Sequence, residues 1–384
     1  MAERADIAVI GGGIVGCLIA RHITARAPTT SVVILERETA GSGASRYSAG
    51  LHCPRGATER LRRMARYSQD YYDELTDLEP RLPIYPTPLS VVASPATAPR
   101  LARTYLDTAR LTPARRPTEG SLGIRLPHDS RVFRCEGAQH ADVYALVQAL
   151  ARDLRHRVTF REGVEVVRVE PSDTDIDADI DADIDADDRT RSRDGVTLRL
   201  RTGETLTARQ AVLAPGPWLA EPAWRDLVAP LAARVKKIIA LHLDRPPAAG
   251  DRALVFEDDD AFLLPLRHRG HWLFSYTCRE WDTDPGTAAR GLTPRNTAEA
   301  RACLRQYLPR LAERTLSGRA FCDAYSTTGQ PEVRALDPHG RIVFAGAAGG
   351  SGYRLAPAIA SAAVDLLRLP VHRPRPAPNQ GSHS

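Results

Sequence analysis

The sequence predicts an α/β protein in which a nucleotide-binding domain is interrupted by a β-sheet-rich lobe. Three observations lead there. Strand-like and helix-like segments alternate at both ends of the chain and enclose a strand-rich middle. The opening run Gly11-Gly12-Gly13-Ile14-Val15-Gly16 fits G-x-G-x-x-G between a strand and a helix. A second glycine-rich turn, Gly346 to Gly352, again lies between a strand and a helix near the other end. Together they describe a Rossmann-type domain assembled from distant parts of the chain.

Asp6 to Ile10 reads as a buried strand, Ile14 to Ala27 as a helix and Ser31 to Leu35 as a second strand. Gly11 permits the tight turn, Gly13 lets a pyrophosphate approach the backbone, and Gly16 lets helix and strand pack closely. The helix start offers unpaired N–H groups and a positive dipole end. Glu36, at the end of the next strand, suits both ribose hydroxyls and would repel a 2′-phosphate, which argues against NADP.

Apolar positions Leu61, Met64, Tyr71, Tyr72 and Leu75 predict a helix over Thr58 to Leu75, and Ala141 to Leu154 reads as another. Val164–Val169 and Val196–Leu200 read as paired strands. The run between them repeats Asp-Ile-Asp-Ala, and its nine aspartates from Asp173 to Asp188 would repel one another in a sheet, so 172–193 reads as an acidic, solvated loop. It lacks the glycine a calcium loop requires. Thr205 to Ala214 is a further strand. Val235–Leu243, Ala253–Phe256, Phe262–Leu266 and Trp272–Tyr276 are expected strands of the lobe, and Thr297 to Leu311 a helix. Strand Arg341–Ala345 and helix Leu355–Leu367 complete the nucleotide domain. The expected division is 1–88, 132–222 and 323–369 for that domain, 89–131 and 223–322 for the substrate lobe, and 370–384 as a disordered tail.

Charged residues are 26% and hydrophobic residues 43%, ordinary for a soluble protein. No apolar run is long enough to span a bilayer. Ala5 to Ile14 runs straight into a glycine turn, unlike a signal peptide, so the cytoplasm is the expected location. The net charge of +5 comes from arginine, since Lys236 and Lys237 are the only lysines. That bias suits a GC-rich bacterial genome. The arginines are dispersed among carboxylates, which argues against nucleic acid as a partner. The six cysteines fit no zinc spacing, so no metal is expected.

These segments jointly resemble the D-amino-acid oxidase-like family of flavoenzymes, which includes glycine oxidase, monomeric sarcosine oxidase and D-arginine dehydrogenase. The resemblance rests on Asp6 to Glu36, Gly41-Ser42-Gly43-Ala44-Ser45, Ser48-Ala49-Gly50, Gly137 with Ala141-Asp142, Ala211 to Trp218, and Gly346 to Leu367. It implies extended FAD and a β-sheet lobe over the isoalloxazine. It also implies oxidation of the C–N bond of an amino acid or N-substituted amino acid, with hydride transfer to flavin N5.

The cofactor residues it implies are Gly11, Gly13, Ile14, Val15, Gly16, Glu36, Arg37, Ser42, Ser45, Arg46, Ser48, Ala49, Gly50, Leu51, Val166, Ala214, Gly216, Trp218, Gly349, Gly350, Ser351, Gly352, Tyr353 and Arg354. Arg354 stands where a substrate carboxylate is bound, and an arginine fork suits that task. Tyr325 and Tyr276 are the other catalytic candidates, and Cys322 is a candidate covalent flavin link by a one-residue shift of register. His52 and Cys53 would run under the flavin, packing or touching it. The segment that aligns over the flavin contains no lysine, which leaves oxygen as acceptor open. Three alternatives remain open: a 2-hydroxy-acid dehydrogenase using one of His242, His268, His271 or His339 as base, a flavoenzyme acting on a modified tRNA base, and an FAD-binding protein without catalysis.

Overall fold

The computed structural model describes residues 3–116, 124–172, 195–288 and 291–369. The acidic loop, Ser172 apart, and the tail from 370 lie outside the described residues. The first eight-stranded sheet has a parallel core in the order Thr159–Glu162, Val32–Glu36, Glu3–Ile10, Thr205–Leu213 and Ile342–Gly346. Val166–Ser172 pairs antiparallel with Gly195–Leu200, as the flanks of the acidic run require, and this hairpin joins the near half of Thr205–Leu213.

Side chains alternate across the sheet, as strand geometry demands. Ile7 and Val9 pack under the helices Ile14–Arg26, Glu59–Leu78, Val143–Leu154 and Ala356–Asp365. Ala8 and Ile10 face the opposite core, with Leu198, Trp224 and Val228. Thr58 caps its helix by accepting from Leu61 N–H at 3.2 Å, and Asp142 does the same for Ala145.

The second eight-stranded sheet runs in the order Thr315–Tyr325, Arg234–Leu243, His271–Trp281, Ala261–Leu266, Ala253–Phe256, Leu89–Ala93, Arg131–Cys135 and Thr112–Pro113. One face, with Trp272, Phe274 and Leu241, is covered by the helix Pro294–Tyr307. The other face carries Ile238, Ala240 and Phe321 toward Tyr47, Ala49 and Leu51 of the nucleotide-binding part.

Three expectations change here. The single helix over Thr297–Leu311 is two, broken before Pro309, whose missing N–H cannot continue it. The strand expected at Trp272–Tyr276 extends from His271 to Trp281 because it pairs on both sides. The divisions at 131/132 and 322/323 fall inside strands of the second sheet, Arg131–Cys135 and Thr315–Tyr325.

Candidate functional site

A cavity of about 780 Å³ runs from the first glycine turn to the lobe, within the size range of cofactor sites. At one end Gly11 has φ +109°, and a Cβ there would lie 2.3 Å from the Ala214 carbonyl oxygen. A Cβ on Gly16 would meet the Gly11 oxygen at 1.9 Å, so glycine is needed there for helix–strand contact although Gly16 does not line the cavity. Gly13 caps the helix without a side-chain bond, leaving N–H groups aimed at the opening. Ser45 Oγ accepts from Ile14 N–H at 3.0 Å and fixes that rim.

Glu36 accepts from Gly12 N–H at 2.8 Å and from Glu38 N–H at 3.0 Å, which orients its carboxylate. Burial raises its pKa while those two N–H groups lower it. Arg37 lies over the Trp218 ring at 4.6 Å and pairs with Glu221 at 2.9 Å. Val15, Ser42, Ser48, Ala49, Gly50, Leu51, Val166, Ala214 and Gly216 complete the nearer wall. A glycine cradle at a helix start, an oriented carboxylate at the end of the next strand and an aromatic wall fit the adenosine and pyrophosphate of FAD.

The far end is formed by Gly349, Gly350, Ser351, Gly352, Tyr353 and Arg354. Ala347 has φ +51° and Gly349 +54°, the left-handed turns that present this segment to the cavity. Tyr353 stacks on Tyr72 at 4.9 Å and accepts from its hydroxyl through the backbone oxygen at 2.8 Å. Arg354 donates to the Arg55 carbonyl and to Ser351 Oγ and has no acid partner among the described residues. Burial lowers its pKa to about 10, so it remains a cation at neutral pH. Five N–H donors, of which these bonds occupy part, leave capacity for a bound anion.

The lobe closes the cavity with Ile238, Phe262, Ser275, Thr277, Phe321, Asp323 and Tyr325. Residues spaced by two share this face. Tyr276 is therefore a correction: it lies between Ser275 and Thr277 and packs on the far side, against the core under Pro294–Tyr307. Cys322 is a second. It pairs in register with Lys237, and its Sγ lies 3.9 Å from the Thr283 oxygen rather than on the cavity. Arg46 is a third: it is exposed, over the Tyr144 ring at 5.7 Å, and does not line the cavity. Tyr325 lines it, with its ring against Gly349 and Gly350. Cys53 reaches the wall, whereas His52 is buried behind it on Gln69 at 2.7 Å, with burial lowering its pKa to about 4.

Several lining residues were not anticipated. Arg55 pairs with Glu257 at 3.2 Å, and Glu257 accepts from the Tyr105 hydroxyl at 2.5 Å. Asp260 and Asp323 also line the cavity. Burial alone raises the Asp323 carboxyl to about 7. Alternation along Thr315–Tyr325 would have placed Asp323 with Tyr325 had that segment been read as a strand.

Residues 6–366 match the model of the family DAO, FAD dependent oxidoreductase. The chain is similar to glycine oxidase from Geobacillus kaustophilus, 19% identical, with a TM-score of 0.74 and 95% of each chain covered. It is also similar to FAD-bound L-alpha-glycerophosphate oxidase from Mycoplasma pneumoniae, 16% identical, with a TM-score of 0.75 and 97% of each covered. At these identities the likeness shows the fold. A 70-residue stretch is 37% identical to 4-methylaminobutanoate oxidase (formaldehyde-forming) from Paenarthrobacter nicotinovorans; it spans 18% of this chain and 8% of that protein. No described helix is long and apolar enough to cross a membrane.

Proposed function

This chain belongs to the DAO family of FAD dependent oxidoreductases, and we propose that it oxidises the C–N bond of an amino acid or N-substituted amino acid to an imine. The observation that carries the reading is Arg354, a cation in the cavity wall held only by neutral groups. A substrate carboxylate is the partner its planar fork suits. Bound FAD supplies the hydride acceptor. The protein's part is to hold the carboxylate at Arg354, shape the pocket with Phe262, Phe321 and Tyr325, and exclude water from the reacting carbon.

The cofactor contacts are assigned to the residues of the two glycine turns and the wall between them. His242, His268, His271 and His339, the bases a 2-hydroxy-acid dehydrogenase would use, lie off the cavity. That favours an amine, which needs only to arrive unprotonated. The arginine-for-lysine bias supports a bacterial setting.

The test is an anaerobic flavin-bleaching screen of amino acids, N-methyl amino acids and 2-hydroxy acids on the purified holoprotein. Bleaching by amino or N-substituted amino acids is expected. Bleaching by hydroxy acids alone overturns the reading.

A further inference from the structure

Two arginines line the substrate end of the cavity, and one of them is paired with an acid that lines it too. Arg354 donates to the Arg55 carbonyl and has no acid partner among the described residues. Arg55 lies against Glu257 at 3.2 Å, and the Glu257 side chain is only 7% exposed. Glu257 accepts a second bond from the hydroxyl of buried Tyr105, at 2.5 Å.

The Arg55 guanidinium is seated by more than its charge partner. It lies over the Tyr105 ring, 5.4 Å from the centroid. Its backbone is bridged to Tyr105, with Gly56 N–H donating to the Thr104 carbonyl at 2.8 Å and Leu106 N–H to the Pro54 carbonyl at 3.0 Å. Arg55 thus has a fixed place in the wall, with its side chain 33% exposed. What Glu257 adds there is negative charge. A shielded ion pair is costly to break, and a carboxylate approaching Arg55 meets Glu257 as a like charge.

We infer that Glu257 is a specificity-determining residue: by holding Arg55 it confines carboxylate binding to Arg354 and rejects a second carboxylate on the substrate side chain. This rests on the reading of the cavity as an amino-acid site. A merely structural ion pair could sit anywhere in the fold, whereas this one faces the cavity beside the Arg354 guanidinium. Discrimination comes from such a repulsive element as much as from an attractive one. Glu257→Gln keeps the size of the side chain and an acceptor for Tyr105, and removes the charge. Arg55 then stays in its place and becomes a second carboxylate receptor, so the variant gains a substrate class.

The experiment uses two isosteric pairs, glutamate with glutamine and aspartate with asparagine, in both enantiomers. The proteins are the FAD-loaded wild type, Glu257→Gln, and a double variant that adds Arg55→Met. Anaerobic bleaching reports oxidation, and perturbation of the flavin spectrum without bleaching reports binding. The wild type is expected to favour the amides. The acid-to-amide ratio of kcat/KM, or of affinity where nothing bleaches, should rise roughly 10- to 100-fold in Glu257→Gln. It should fall back in the double variant. A wild type that favours the acids, or a ratio unchanged in Glu257→Gln, overturns the inference and leaves C–N oxidation standing wherever an amino acid bleaches the flavin. Acids that neither bleach nor bind in Glu257→Gln overturn it as well. A gain that survives Arg55→Met overturns the assignment to Arg55. If no amino acid bleaches the flavin but the affinity ratio shifts as expected, the oxidation reading fails and the role of Glu257 stands. If neither bleaching nor the shift is seen, both fail.

Discussion

The Tyr325 ring occupies the space beside Gly349 so closely that a Cβ there would lie 2.5 Å from Tyr325 Cε1. Gly349 also holds φ +54°. Gly349→Ala must therefore strain the turn and displace Tyr325, at about 1–3 kcal/mol. The expected outcome is a lower Tm together with weaker FAD retention on dialysis. Wild-type retention and Tm would show that the turn relaxes without moving the ring.

Gly13 stands at the rim where the first helix begins, and a Cβ there already comes within 3.2 Å of Ser45 Oγ. Gly13→Val fills the approach to the helix start. Purified variant should be colourless, while the wild type should be yellow and release FAD on denaturation. Nucleotide extraction that yields only NAD, or none, from the wild type would defeat the cofactor assignment.

Cys322 faces away from the cavity, and burial pushes its thiol up to about 12. With neither access nor thiolate character it cannot tether the flavin. Acid precipitation should leave all flavin in the supernatant, and colour in the pellet would contradict the placement.

The two glycine turns were legible because each combines sequence spacing with a backbone requirement that only glycine meets. The paired strands around the acidic run were legible from their flanks. The long strand Thr315–Tyr325 was not, because Leu316, Ser317, Gly318 and Arg319 break the apolar pattern that marks a buried strand. That omission hid Asp323 and left Cys322 as a candidate. Tyr276 failed for the related reason that its side of the sheet is fixed by pairing with Ile239 and Ala261, contacts distant in sequence.

Asp323 gives a pH signature. Its carboxyl is raised from 3.8 to about 7 by burial. Between those values the folded protein holds a proton that the unfolded chain has released. The group's contribution to stability is thus greatest below about pH 4, declines as pH rises, and is lost above about pH 7. Asp323→Asn removes that decline, so it should stabilise the protein relative to wild type at pH 8 by on the order of 2–4 kcal/mol, and less at pH 5. Thermal unfolding at both pH values checks this. An equal Tm difference at the two would place the carboxylate in water. A gain in stability together with a loss of activity is the trade expected at a binding site.

Arg354 offers the most direct test of the chemistry. Its guanidinium is held by the Arg55 carbonyl and Ser351 Oγ, two neutral acceptors, so its orientation does not depend on an acid partner. A carboxylate docked there makes charge-assisted, two-pronged bonds in a shielded site, and removing one partner of such a pair costs roughly 2–5 kcal/mol. Arg354→Ala should leave FAD bound, because it removes a single side-chain bond to the glycine turn, at Ser351 Oγ, and none to the first helix. It should lower kcat/KM for the carboxylated substrate by roughly 30- to 5,000-fold, at about 1.4 kcal/mol per decade. The decarboxylated analogue never makes the contact, so its turnover should change little. Equal losses for both compounds at constant flavin content would mean that Arg354 serves the flavin. No loss for either would remove it from the site.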